Sequence, residues 1–245
     1  MDLLSEYKSD DEHDNGTELD DDSSSTASQV SLTPTPNKKL NTCTNYSFVR
    51  TVPHMDGNWS GLVSIRVPVK LDDGLEDIIR LFEKVFNCDF YRHESYHISL
   101  SKMLYLQYVA IDSWKDDLYK AIQNEMKFSV AVHISPCAVE ILTNDELSRS
   151  FLTFPVVMGE KHIKQVITKV DGISSKYQLP IYYENPKIHF SFASIGKNIS
   201  LRDTSHLRRC PEFEDLIDEI FTFSVQAIEC KLGTVRTFEI PLLST

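Results

Sequence analysis

Tyr96-His97-Ile98-Ser99-Leu100-Ser101 and Ile188-His189-Phe190-Ser191-Phe192-Ala193 carry one four-residue pattern twice, His, apolar, Ser, apolar. Both stretches alternate in the period-2 manner of a β-strand. Residues i and i+2 of a strand face the same side, so each stretch presents an imidazole and a hydroxyl together while Ile98 or Phe190 points into a core. A lone histidine in such a place is by default a half-buried strand residue bonded to a neighbour. Repetition of the whole pattern points to chemistry instead.

The sequence around the first stretch alternates strand and helix signals. Gly61 to Lys70 reads as a strand, and Leu75, Ile78, Ile79, Phe82, Val85 and Phe86 fall at helical spacing within Asp72 to Asn87, with Asp72 or Asp73 as N-cap. Asp112 to Lys127 reads as a second helix, and Phe128 to His133 and Ala138 to Thr143 as strands around Ser135-Pro136. The second half repeats the theme: strand Phe151 to Val157, helix Glu160 to Tyr177, strand Ile188 to Ala193, a short helix near Phe213 to Ile220, then strands Thr222 to Lys231 and Thr234 to Ile240. The predicted fold class is α+β, built as two similar lobes.

Composition narrows the function classes. The formal charge of −11 is concentrated in Met1 to Thr26, which holds ten Asp/Glu against one Lys; the remaining 26 acids and 24 bases nearly cancel. So neutral a folded part lacks the basic footprint of a protein that grips long duplexes, and any nucleic acid it handles is expected to be short or held locally. Residues 1–45, rich in Asp, Ser, Thr and Pro, are predicted to be a disordered acidic tail, with order beginning near Tyr46. Asp20 to Thr26 offers hydroxyls for phosphorylation beside existing acids, although a solubilising tail is the simpler reading, and Lys38-Lys39 is too short for a nuclear signal. No apolar run approaches the roughly 20 residues of a membrane span, and the acidic amino terminus is unlike a secretory signal, so an intracellular protein is expected. The four N-x-S/T sequons, at Asn15, Asn45, Asn58 and Asn198, then carry no meaning. Five cysteines (Cys43, Cys88, Cys137, Cys210, Cys230) without a CxxC pair fit reduced thiols.

Two imidazoles of intrinsic pKa near ~6.5 on either side of a cleft suit phosphoryl transfer. One acts as base toward a nucleophilic hydroxyl and the other as acid toward the leaving oxygen, each contributing roughly 10²–10⁴ in rate. Ser99 and Ser191 would donate hydrogen bonds to the non-bridging phosphate oxygens, where charge builds in the transition state. In RNA the internal nucleophile is the 2′-hydroxyl, which DNA lacks, and its attack yields a 2′,3′-cyclic phosphate. No metal and no cofactor is called for. Which of His97 and His189 is the base is left open.

His93-Glu94-Ser95-Tyr96-His97 is also a literal H-E-x-x-H, the zinc-protease signature. That chemistry needs the five residues on a helix so that both histidines meet on one face. Phe90-Tyr91-Arg92 and the alternation that follows resist a helix, and no G-x-x-H supplies a third ligand; Glu125 as a substitute would leave the second His-x-Ser unexplained.

The paired His-x-Ser motifs resemble those of the 2H phosphoesterase superfamily. The context Tyr183-Glu184-Asn185-Pro186-Lys187-Ile188-His189-Phe190-Ser191, with Thr143-Asn144-Asp145 leading to Arg149-Ser150-Phe151, is similar to the U6 snRNA phosphodiesterase family, over about Tyr46 to the end. The resemblance implies a bilobal fold of two pseudo-symmetric lobes, each an antiparallel sheet with packed helices, around a central cleft. It implies a metal-independent 3′-to-5′ exoribonuclease that trims the oligouridine tail of U6 snRNA in the nucleus, leaving a terminal phosphate, with His97, His189, Ser99 and Ser191 as catalytic residues. Tyr183 matches the family's tyrosine that stacks on a terminal base, and a strand-edge core aromatic is its other reading. Ala193-Ser194 is small where relatives carry a bulkier aromatic, so base preference is left open. The other readings are a 2H enzyme acting on small cyclic nucleotides or 2′–5′ linkages, and a non-catalytic binder of RNA 3′ ends. A monomer is expected, since no heptad repeat stands out.

Overall fold

The computed structural model of the protein describes residues 56–68, 74–199, 216–233 and 236–244. The acidic tail to residue 45, the expected onset of order at Tyr46, Cys43 and Cys210 all lie outside the described residues.

Strand β1 (Asn58–Val67) buries Val63, Ile65 and Val67 on one face, as its alternation predicts. Helix α1 (Gly74–Phe86) buries Leu75, Ile78, Ile79, Leu81 and Phe82, with Glu76 and Asp77 in its first turn and Lys84 in its last, the charge order that a helix dipole favours. Asn87 follows in the left-handed region (φ 48°), which Asn tolerates better than most residues, and the chain turns back. Strands β2 (Tyr91–Arg92), β3 (Tyr96–Ser99) and β4 (Leu104–Gln107) come next, then helix α2 (Ile111–Ile122) and strands β5 (Phe128–Ile134), β6 (Glu140–Thr143) and β7 (Ser150–Met158). Helix α3 (Glu160–Lys176) leads to β8 (His189–Ile195), and β9 (Glu219–Val225), β10 (Ala227–Leu232) and β11 (Arg236–Pro241) complete the described elements. Gly159 makes the corner between β7 and α3 at φ +95°, where a Cβ would sit 2.5 Å from the Ser129 carbonyl oxygen, so only glycine fits.

The expected α+β class holds. The strands expected to form two separate sheets lie on one hydrogen-bonded path, β11-β10-β1-β3-β8-β7-β5-β9, with β2 on β8, β4 on β1 and β6 on β7. Every strand pairing described within it is antiparallel. The two halves of that path meet at β3 and β8, whose register pair is Ile98 opposite Phe190. Behind the sheet, Phe82, Trp114, Leu118, Ile163, Val166 and Val170 of the helices join Val63, Ile65, Ile98, Phe154 and Phe190 of the strands in one apolar cluster.

Three local expectations differ from the structure. Helix α2 ends at Ile122 rather than near Lys127, because the backbone around Met126 is paired instead with Leu243: Lys127 N–H donates to the Leu243 carbonyl and Leu243 N–H to that of Glu125. The helix expected at Phe213 to Ile220 lies partly outside the described residues, and its end, Glu219 and Ile220, is strand, because β9 pairs along its whole length with β5. The strand expected over Thr222 to Lys231 is two strands broken at Gln226. Among the described residues no helix is long and apolar enough to cross a membrane.

Candidate active site

His97 and Ser99 on β3, and His189 and Ser191 on β8, are all half-buried, while Ile98 and Phe190 between them are fully buried. The alternation read from sequence is therefore the alternation of the fold. An antiparallel register with Ile98 opposite Phe190 sets His97 across from Ser191 and Ser99 across from His189, about 5 Å apart at their Cβ atoms. The repeat in sequence becomes a local two-fold: four side chains form one quartet on the face away from the core, each imidazole beside the hydroxyl of the other motif.

The next strands extend that face. Arg66 of β1 lies across from His97 and Ser64 across from Ser99; on the other side, Thr153 of β7 lies across from Ser191 and Pro155 across from His189. Between Leu152 and Thr153 the β7–β8 register shifts, leaving Phe192 unpaired immediately after Ser191. A bulge of this kind re-aims the side chains next to it.

The two histidines are electrostatically unequal. Burial, then the nearby Lys231 ammonium and the His93 and His189 rings, press the His97 pKa down to about 4, against a smaller opposing effect of Glu229. Among the described residues its ring has no hydrogen-bond partner. Burial also lowers the pKa of His189, but the Lys187 carbonyl and the Glu140 carboxylate oppose this. His189 Nδ1 lies 2.6 Å from the Lys187 carbonyl oxygen. A carbonyl only accepts, so Nδ1 carries the proton and Nε2 is the nitrogen left for chemistry.

His93, read from sequence only as half of a zinc motif, has another place. The segment His93 to His97 is a turn running into β3, not a helix, so its histidines do not share a helix face. The His93 ring instead spans to β8: Nδ1 donates to the Ser191 carbonyl oxygen at 3.2 Å and Nε2 accepts from the Ser194 hydroxyl at 3.1 Å, while its backbone N–H donates to the Phe192 carbonyl. These contacts tie the segment before β3 to β8 on both sides of the register shift. Burial lowers the pKa of the ring and keeps it in this neutral form. Among the described residues no three His, Cys, Asp or Glu side chains cluster in the manner of metal ligands.

Tyr183 is exposed, in the loop that leads to His189, and so is not the core aromatic of its second reading. Its hydroxyl donates to Asp145 at 3.1 Å, and the Lys102 ammonium, itself 3.2 Å from Asp145, sits 4.2 Å from its ring centroid. Lys102 follows Ser99 by three residues, so this cluster lies beyond the Ser99–His189 side of the quartet. Lys102 carried no signal of its own in the sequence, and Asp145 entered only within the stretch that carries the resemblance; their meeting joins loops 43 positions apart in the chain.

Relatives include U6 snRNA phosphodiesterase 1 of Homo sapiens, 27% identical over 201 residues covering 79% of this chain and 73% of that protein. That of Xenopus laevis is 27% identical over 203 residues, covering 80% and 78%. The structure of Kluyveromyces marxianus Usb1 with uridine monophosphate superposes with a TM-score of 0.50 at 17% identity, covering 77% of this chain and 100% of that one, which bears on the fold alone. These relatives bear out the resemblance to the U6 snRNA phosphodiesterases read from the motif context. The model of the HVSL family, described as an uncharacterised conserved protein, matches residues 28–241, and the chain belongs to that family.

Proposed function

We propose that the chain is a 3′-to-5′ exoribonuclease that shortens the oligouridine tail of U6 snRNA by attack of a 2′-hydroxyl, without a metal ion, leaving a terminal 2′,3′-cyclic phosphate. The observation that carries this reading is the pairing of the two His-x-Ser motifs through Ile98 and Phe190. The relatives named U6 snRNA phosphodiesterase 1 supply the substrate. Action on U6 snRNA makes the nucleus the working compartment in this reading, and a monomer the working unit.

The inequality of the histidines supports one division of roles in this reading. His97, with its pKa pressed to about 4, is neutral at pH 7 and takes the proton of the 2′-hydroxyl. His189, with a carbonyl on Nδ1 and the Glu140 carboxylate nearby, holds a proton more readily and gives it from Nε2 to the leaving 5′-oxygen. The 2′-oxygen–phosphorus bond forms as the phosphorus–5′-oxygen bond breaks. The substrate phosphate, absent from the free protein, raises both histidine pKa values on binding, toward the range where acid–base exchange is effective. Ser99 and Ser191 donate to the non-bridging oxygens. Tyr183 stacks on the terminal base, on the His189 side of the quartet, next to the oxygen that leaves.

The test is incubation of purified protein in excess EDTA with a 5′-labelled RNA ending in several uridines. Stepwise shortening, lost in both His97→Ala and His189→Ala, is expected. Activity abolished by the chelator would overturn the metal-free mechanism, and tight binding without turnover, unchanged by His97→Ala, would leave an RNA-end binder.

A further inference from the structure

We propose that Arg66, anchored by the buried carboxylate of Glu229, binds the RNA phosphate next upstream of the one cleaved, so that the quartet continues as a phosphate-binding track across β1 and β10. This rests on the reading of the chain as an RNA phosphodiesterase.

Glu229 is the buried acid that needs explaining. Its side chain is 4% exposed, and a carboxylate taken so far from water is costly unless a cation and hydrogen bonds meet it. Two cations do: Arg66 Nη2 lies 2.9 Å from Oε1, and Lys231 Nζ 3.8 Å from Oε2. Yet Arg66 is not consumed by the pair. Its side chain is 66% exposed, and among the described residues only Nη2 is hydrogen-bonded, which leaves the other donors of the guanidinium without a partner among those residues. An arginine fixed at one corner and free along the rest of its fork is preorganised for a phosphate, which accepts from two of its N–H groups at once.

Position tells which phosphate. Arg66 is across from His97, one strand spacing of ~4.8 Å along the sheet, and its side chain shares the face of the quartet. Tyr183 and Lys102 lie beyond the opposite side, past Ser99 and His189. A strand with its terminal base on Tyr183 and its scissile phosphate between the histidines therefore continues over His97 toward Arg66. The floor beneath it is hydroxylic: Ser64 lies across from both Ser99 and Glu229, and among the described residues its buried Oγ has no hydrogen-bond partner.

The test compares wild type, Arg66→Gln and Arg66→Lys, each shown folded by thermal melting. The first readout is kcat/KM on pentauridylate divided by kcat/KM on UpU, which has one phosphodiester and nothing upstream. Arg66→Gln is expected to lower that ratio about tenfold, with Arg66→Lys between it and wild type. The second readout is the salt dependence of binding to pentadeoxyuridylate, which lacks the 2′-hydroxyl and is not cleaved. Loss of one phosphate contact is expected to lower the slope of log affinity against log salt by about 0.7, and a lysine is expected to retain it. A wild-type ratio and slope in Arg66→Gln would overturn the proposal, as would equal losses on UpU and pentauridylate, which would make Arg66 a support of the quartet. Absence of cleavage by the wild type would sink the enzymatic reading, while the salt slope would still decide on the phosphate track.

Discussion

Replacing His97 with Asn tests whether its ring is held neutral by the fold. In the folded protein its pKa is about 4, against ~6.5 in an unfolded chain. The unfolded state therefore takes up the proton first as pH falls. Stability from this site is fully present above pH 6.5, and is lost as pH drops from there toward 4. At pH 5 the unfolded ring is almost fully protonated and the folded ring about one-tenth protonated, a difference of about 2 kcal/mol between pH 7.5 and pH 5. Urea unfolding of wild type and His97→Asn at both values isolates the effect, since His93 and His189 titrate in both proteins. Wild type is expected to lose about 2 kcal/mol more than the variant on acidification, or roughly 4–8 °C in melting temperature for a domain of this size. A stability gap that stays constant between the two values would refute the burial argument, and with it the assignment of His97 as base.

Other consequences follow from the same geometry. Tyr183→Ala is expected to raise KM for oligouridine RNA toward the lower end of the roughly 5- to 150-fold range set by ~1–3 kcal/mol of base stacking, because the ring must first give up Lys102; KM values on matched RNAs check this. His93→Ala removes two hydrogen bonds to the bulge of β8 and is expected to destabilise by about 1–3 kcal/mol in urea unfolding, and to lower kcat well below the melting temperature because the backbone of Ser191 is no longer held. The pH profile of kcat/KM reports the free enzyme, so its alkaline limb is expected below pH 6.5, where the lowered pKa of His189 puts loss of the acid. A profile still rising at pH 8 would contradict the roles given to the two histidines.

What the sequence disclosed was whatever local periodicity controls. Leu75, Ile78, Ile79 and Phe82 announced α1 because their spacing is that of a helix with one buried face, and all four are buried. The alternation around His97 and His189 announced two strands and a shared face, and ruled against a helical zinc motif for the same reason. What remained hidden depends on pairing between distant segments. Strand β4, only four residues long, is a strand because Leu104 to Gln107 lies along the start of β1. Glu219 and Ile220 follow helical spacing but are recruited by β5. The charged pair of Arg66 and Glu229 joins residues 163 positions apart, and the bonds of His93 to β8 span about 100, so no window of sequence contains them.

The most direct test of the central claim is a single atom. A 5′-labelled RNA ending in several uridines, with a 2′-deoxy sugar at the penultimate position only, is compared with its all-ribose copy in the presence of EDTA. Two-histidine transesterification uses the 2′-hydroxyl next to the scissile phosphate, so the all-ribose RNA is expected to shorten stepwise while the substituted RNA keeps its terminal nucleotide. Removal of that nucleotide at the same rate from both would show that water rather than the 2′-hydroxyl is the nucleophile, and would contradict the account.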